Sequence, residues 1–221
     1  MLTLNGITVS FGSVPVLRGV SFAVQRGEAV AFVGRNGAGK TTTLRTIMGF
    51  TGNGGELQFE GRDLNKVESH LRPGLGIGYA PEDRRLFSRF TVEENILLPA
   101  RVAKLTVAET ARRLARVYDI LPELREMALR PAGSVSGGQG KMVALGRALM
   151  IATRLILLDE PFQGLAPVLA QRYAEALRRL RAQDADITLL ITESNPKLLE
   201  TFADTTITIE RGEIEVASRA A

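Results

Sequence analysis

The sequence has no cysteine and no tryptophan, and its one histidine is His70. Without cysteine there is no disulfide, no thiol nucleophile and no thiolate metal site. A single histidine excludes a histidine-rich metal centre, and a Ser-His-Asp triad would depend on His70 alone. That residue sits in the polar stretch VESHLR ahead of Pro73 and reads as solvent-facing. Long apolar runs are missing too. The longest, such as residues 155–158, fall far short of the ~20 residues that a membrane span needs. No N-terminal stretch joins a basic start, an apolar segment and a small-residue cleavage site, so the chain is expected to be cytoplasmic and to meet a membrane only through a partner. Aromatics are 5% of residues. Between residues 84 and 147 twelve Lys/Arg stand against six Asp/Glu, without the interleaved aromatics of a single-strand stacking platform. The net charge of +4 is therefore expected to lie on solvated arginine-rich helix faces, with no nucleic acid as partner.

What is present is apolar material, 45% of 221 residues, enough for one domain with a small subdomain. LTLNGITVSF and VLRGVSFAV alternate partly and read as strands, and EAVAFVG reads as a buried strand ending at glycine. A helix is predicted from Lys40 to about Met48, then short strands in GELQFEG and GIGYA. TVEENILLPA and TVAETARRLARVYDIL each open with Thr-x-x-Glu, the signature of a capping box, and continue at helical spacing. Beyond them KMVALGRALM and PVLAQRYAEALRRLRAQ read as helices, RLILLDE and ITLLIT as buried strands. NPKLLETFA reads as a short helix capped by Asn195 with Pro196 at its first position, and TTITIERGEIEVA as a hairpin around Arg211-Gly212. Buried strands alternating with helices predict an α/β fold with a mostly parallel sheet. The N-terminal strands would flank it as an antiparallel β-subdomain, and the helices of residues 84–134 would be an inserted subdomain between core segments 1–83 and 135–221 of a single domain.

Two glycine-rich turns carry the chemistry. Gly34-x-x-Gly37-x-Gly39-Lys40-Thr41 fits G-x-x-x-x-G-K-[ST] in full, after a predicted strand and before a predicted helix, which makes the core that of a P-loop NTPase. The loop residues Gly34, Asn36, Gly37, Ala38 and Gly39 would turn backbone N–H groups around a β-phosphate. Lys40 would neutralise β and γ oxygens, the Thr41 hydroxyl would ligate Mg²⁺, and Thr42 would reach the α-phosphate. LILLDEP ends a buried strand in two carboxylates. Asp159 suits the magnesium of a bound nucleotide, and Glu160 would polarise the attacking water. The second turn, Ser136-Gly137-Gly138-Gln139, has no GK[ST] of its own. It offers a hydroxyl, backbone N–H groups and a positive helix end, each worth ~0.3–1 kcal/mol at an exposed site. It looks like half a site, waiting for a γ-phosphate held by another subunit.

GRNGAGKTT, SVSGGQ, LILLDEP and the following FQGLAP stand in one order, and over essentially the whole chain the sequence resembles the ATP-binding subunits of ABC transporters. The resemblance implies a dimer with a second ATPase subunit, identical or different, holding two ATPs. Each ATP would be held by residues 34–42 of one chain and covered by residues 136–139 of the other. It implies membrane permease subunits as partners and, through them, a periplasmic binding protein. It also suggests that Phe11 stacks on adenine, with core packing as the alternative. Within the family YAPEDRRLFSRFTVEENILL resembles the second ATPase subunit of branched-chain amino-acid importers. The rival expectations are an ABC-type ATPase of DNA repair or chromosome maintenance, and a hydrolysis-impaired regulatory ATP-binder. Two positions depart from the family pattern. Glu82 stands where relatives carry glutamine and would ligate Mg²⁺ or simply cap a turn. Ser194 stands at the switch position usually held by histidine, and offers a hydrogen bond to the γ-phosphate without positive charge.

Overall fold

The computed structural model describes residues 1–195, 197, 199 and 202–219. They form two compact units, one of Met1–Leu75 with Thr188–Ala221 and one of Gly76–Ile187. No helix of the described residues is long and apolar enough to cross a membrane.

In the first unit, strands β1 (Leu2–Phe11) and β2 (Val14–Val24) form a hairpin, and β4 (Gly54–Phe59) and β5 (Arg62–Asp63) extend it into an antiparallel sheet of order β2-β1-β4-β5. The partial alternation in the sequence has a physical cause. Leu2 and Leu4 are buried at even positions, Ile7 and Val9 at odd ones. One extra residue must therefore be absorbed between them, and the strand register shifts there. Gly6, at φ 62°, supplies the left-handed backbone of that bulge, and its N–H donates to the Ser21 hydroxyl at 2.8 Å. The unit's parallel strands are β3 (Ala29–Val33), β8 (Thr188–Glu193) and β9 (Thr205–Glu210), with β3 between the other two and β10 (Glu213–Arg219) antiparallel to β9. β3 and β8 are buried at every residue; β3 is wholly apolar, while β8 buries Thr188, Thr192 and Glu193 beside its Leu189–Ile191 run. Helix α1 (Lys40–Ile47) follows β3.

In the second unit β6 (Ile77–Ala80) pairs in parallel with β7 (Leu155–Asp159). Its helices are α2 (Val92–Val102), α3 (Val107–Ile120), α4 (Pro122–Glu126), α5 (Gly137–Ile151) and α6 (Pro167–Gln183). α5 is the central one, with ten of its fifteen residues buried. Thr91 starts α2 with a reciprocal capping box to Glu94. The second Thr-x-x-Glu departs from expectation. The Thr106 hydroxyl accepts the Glu109 N–H at 3.2 Å, but the Glu109 carboxylate turns to Arg112 and Arg113 instead of returning to the cap. Two guanidinium groups outcompete one neutral N–H.

The arginine-rich faces are also less solvated than expected. Arg113 donates to the Met150 and Ile151 carbonyls, Arg116 donates to the Ala152 carbonyl and pairs with Asp184 at 3.0 Å, and Arg147 donates to the Arg84 and Arg85 carbonyls. Several of these cations cap exposed helix or turn carbonyls rather than facing water. His70 is exposed, 3.2 Å from Glu68, as its polar surroundings predicted. The hairpin turn falls at Arg211 and Gly212, both with positive φ. Of the expected helix after Asn195, Pro196, Leu198, Glu200 and Thr201 lie outside the described residues.

Candidate functional site

The phosphate-loop residues lie in the first unit, where β3 delivers the chain and α1 takes it away. Gly39 precedes the helix at φ 114°, a conformation that a side chain strains. α1 starts without a side-chain cap and without an acidic residue in its first turn. A first helical turn leaves N–H groups without intrahelical acceptors and carries the positive end of the helix dipole, so this start is suited to an anion.

The structure draws Asn36, Lys40 and Ser194 together. Lys40 is buried, 5% exposed, and its ammonium donates to the Gly34 carbonyl at 2.6 Å, the Arg35 carbonyl at 3.2 Å and the Ser194 hydroxyl at 3.0 Å. Ser194, just past β8, donates in turn to Asn36 Oδ1 at 2.8 Å. The Gly34 N–H donates to the Glu193 carbonyl at 3.2 Å, so the end of β8 and the start of the loop are tied twice. Thr41 and Thr42 lie in the first turn of α1, both half-buried. Phe11, at the end of β1, is 54% exposed, which leaves its ring face available for stacking. Gly37 and Ala38 complete the loop, and the Ala38 N–H donates to the Arg35 carbonyl at 3.0 Å.

The second unit carries the carboxylates and the other glycine turn. Asp159 and Glu160 end β7 and are 2% and 4% exposed. Asp159 Oδ2 accepts from the Tyr79 hydroxyl at 3.1 Å. Glu160 sits at φ 47°, left-handed backbone that costs a non-glycine residue on the order of 1–3 kcal/mol and clusters at functional sites. Its carbonyl accepts from the Lys141 ammonium on α5. Glu82 is exposed in the turn after β6. At the start of α5 the Ser136 hydroxyl accepts the Gln139 N–H at 3.2 Å, and Gln139 Oε1 accepts the Ser136 N–H at 3.0 Å. This capping box uses part of what the turn was expected to offer. The Gly137 and Gly138 N–H groups and the serine O–H proton remain as donors to a ligand. Arg84, in left-handed backbone, lies against this turn with its guanidinium 3.3 Å from the Gly137 carbonyl.

Tyr79 and Lys141 were not found from sequence. Tyr79 reaches Asp159 only because β6 and β7 run parallel in register, and Lys141 bonds a backbone carbonyl, which has no sequence signature.

The residues fit magnesium by donor chemistry. Thr41 and Asp159 are hard oxygen donors, and the described residues hold no cluster of three His, Asp or Glu side chains. Mg²⁺ prefers hard oxygen ligands, and a threonine hydroxyl in the first unit and an aspartate carboxylate in the second each offer that chemistry.

A family model described as ABC transporter matches residues 17–163. The chain is 35% identical to the high-affinity branched-chain amino acid transport ATP-binding protein BraG of Pseudomonas aeruginosa, over 97% of this chain and 91% of that protein. It is 31% identical to the probable branched-chain amino acid transport ATP-binding protein LivF of Archaeoglobus fulgidus, over 97% and 90%. It is also 35% identical to the Fe(3+) ions import ATP-binding protein FbpC of Serratia marcescens, over 96% of this chain and 61% of that one. Among solved structures it resembles the ADP conformation of MJ1267, an ATP-binding cassette of an ABC transporter, with a TM-score of 0.85, 30% identity, and coverage of 99% of this chain and 91% of that one.

Proposed function

The chain belongs to the ABC transporter family as an ATP-binding, ATP-hydrolysing subunit that works with Mg²⁺, and on that premise we propose that it energises a membrane importer for branched-chain or related amino acids. The observation that carries this reading is the likeness to BraG and LivF over nearly the whole chain, together with the segment YAPEDRRLFSRFTVEENILL. Iron-transport relatives reach the same identity, so the family is firm and the solute is the proposal.

In this reading residues 1–83 and 135–221 are the nucleotide-binding core, and residues 84–134 are the helical insert that meets the permease. Asn36, Gly37 and Gly39 bind the phosphates through backbone N–H groups, while the Gly34 and Ala38 N–H groups, expected to join them, are taken by the Glu193 and Arg35 carbonyls. Lys40 neutralises phosphate charge, Thr42 reaches the α-phosphate and Phe11 stacks on adenine. Thr41 and Asp159 would hold the magnesium ion, with Glu82 as a further oxygen donor. Bound there, the ion neutralises phosphate charge as it develops in the transition state. Glu160 orients and polarises the attacking water, and its buried carboxylate is kept in place by the Lys141 grip on its backbone. Ser194 gives the γ-phosphate a neutral hydrogen bond. The turn Ser136, Gly137, Gly138, Gln139 covers the nucleotide of a second ATPase subunit. The chain would lie on the inner face of the cell membrane, attached through permease subunits, with a periplasmic binding protein delivering the solute.

Uptake measurements test the solute. Deleting the gene, then restoring either the native chain or Lys40→Ala, should abolish and recover uptake of radiolabelled leucine, isoleucine and valine only with the native chain. Iron uptake should not change. Amino-acid uptake that survives the deletion overturns the assignment.

A further inference from the structure

The last hairpin of the chain sits directly beneath the phosphate loop. The Ile209 carbonyl in β9 lies where a Cβ on Gly34 would stand, at 2.3 Å. Its side chain and Leu17 lie under Gly39, 3.2 and 2.7 Å from the equivalent point. Then comes the turn at Arg211 and Gly212. Gly212 is buried, at φ 84°. Its N–H donates to the Ala38 carbonyl at 2.9 Å, and its own carbonyl accepts from the Arg18 N–H of β2 at 2.8 Å. A Cβ there would stand 2.1 Å from the Val16 carbonyl oxygen. Glycine is therefore required for both reasons that single it out, backbone sign and space.

The consequence follows from peptide geometry. No cis peptide bond occurs among the described residues, and in a planar trans peptide the C=O of one residue and the N–H of the next point in opposite directions. A hydrogen bond that holds the Ala38 carbonyl down toward the hairpin therefore aims the Gly39 N–H the other way, to the opposite side of the loop. Gly39 is the residue whose N–H precedes the lysine of the phosphate-binding pattern. We propose that Gly212, far along the chain from the loop, is a positioning residue for nucleotide binding: its N–H orients the Ala38–Gly39 peptide so that the Gly39 N–H is presented to the phosphate chain. This rests on the reading of residues 34–42 as the phosphate loop. It makes the β9–β10 hairpin part of the binding machinery through a backbone N–H.

A backbone ester at residue 212, glycolate in place of glycine, removes that N–H and leaves every side chain unchanged. Because the chain has no cysteine, a synthetic C-terminal segment joined at position 203, with the ligating cysteine then desulfurised to Ala203, restores the native sequence elsewhere. One lost hydrogen bond should weaken ADP and ATP binding about five-fold. Adenosine, which has no phosphate, should bind as before. An ester at Ala217, in β10 but away from the loop, is the control and should leave ADP affinity unchanged. Circular dichroism reports that each ester folds, and Gly212→Ala, with its Cβ driven into the Val16 carbonyl, should lose more affinity than the ester. Equal ADP affinity in the 212 ester and the native chain overturns the proposal, and so does an equal loss in the 217 ester or a parallel loss for adenosine. Native protein that fails to bind ADP overturns the phosphate-loop reading itself, an outcome distinct from all of these.

Discussion

At Ser194 one side chain touches both the lysine and the asparagine of the phosphate loop, accepting from Lys40 and donating to Asn36. A hydroxyl can do both at once because it carries a donor and acceptor lone pairs on one atom. What it lacks is charge. Hydrogen bonds with an ionised partner are about twice as strong as neutral ones, so a serine stabilises a developing phosphate charge less than a cationic imidazole would. Ser194→His is therefore expected to raise kcat several-fold in steady-state phosphate release. Because the larger ring displaces the contacts to Lys40 and Asn36, KM for ATP should rise in the same variant. An unchanged or lower kcat removes the case for serine as the slower choice. The serine itself was legible in the sequence, as a departure from a pattern. Its place beside Lys40 was not, because it depends on how β8 ends relative to the loop.

At the scale of the element, legibility follows the kind of partner each residue has. β3, β7 and β8 are buried at every residue, and the apolar runs AVAFV, LILL and LLI within them announced them. α6 begins with Pro167 at its first position, and its range coincides with the amphipathic stretch read from sequence. Glycines at 34, 37 and 39 were legible as a spaced motif, but the reason for Gly34 was not: the Ile209 carbonyl lies where its Cβ would stand, whereas Gly37 and Gly39 have positive φ. Arginines that bond backbone carbonyls were not legible, because every residue carries a carbonyl. Arg72 is the extreme case. Its buried guanidinium donates to the carbonyls of Thr46, Ile47, Leu64 and Val67, closing the end of α1, and burial pushes its pKa below the ordinary value. Nothing in the sequence distinguishes it from an exposed arginine. The start of α3 gives a measurable contrast. Hydrogen bonds from Arg112 and Arg113 hold the Glu109 carboxyl down at about 2, against an ordinary 4.5. A carboxyl depressed in the folded state stabilises it fully above the unfolded value and loses that contribution as pH falls toward the folded one. Native protein should therefore melt higher than Glu109→Gln at neutral pH, and the two melting curves should converge as pH falls from about 5 to about 2. A gap that stays constant over that window means that the ion pairs contribute nothing.

For the molecule as a whole, two glycine-rich turns start helices, and only the first carries the G-K-[ST] pattern. Residues 34–42 have everything a phosphate chain needs: left-handed glycines, an uncapped helix start and a buried ammonium. The turn at 136–139 has an internal capping box and no cation of its own within the pattern. Two N–H groups and one hydroxyl at a helix start supply ~0.3–1 kcal/mol each at an exposed site, too little to hold ATP and enough to favour docking onto ATP already held. On the proposed function, a half-site of that strength would serve a symmetric pair in which each chain lends its turn to the nucleotide of the other. The arrangement predicts complementation. Lys40→Ala removes the holding site, and Gly137→Asp places a negative charge where the phosphate should meet the turn, so each variant alone should be inactive. Mixed in equal amounts, half of the pairs combine one chain of each kind. Each mixed pair has one site with an intact lysine and an intact turn, so activity should return to about a quarter of the native value if the two sites act independently. Where the native mate is a different chain, the same crossing applies with one substitution in each chain. If the mixture stays inactive while gel filtration shows that the variants pair, the turn does not complete its neighbour's site, and completion in trans fails as an account of this protein.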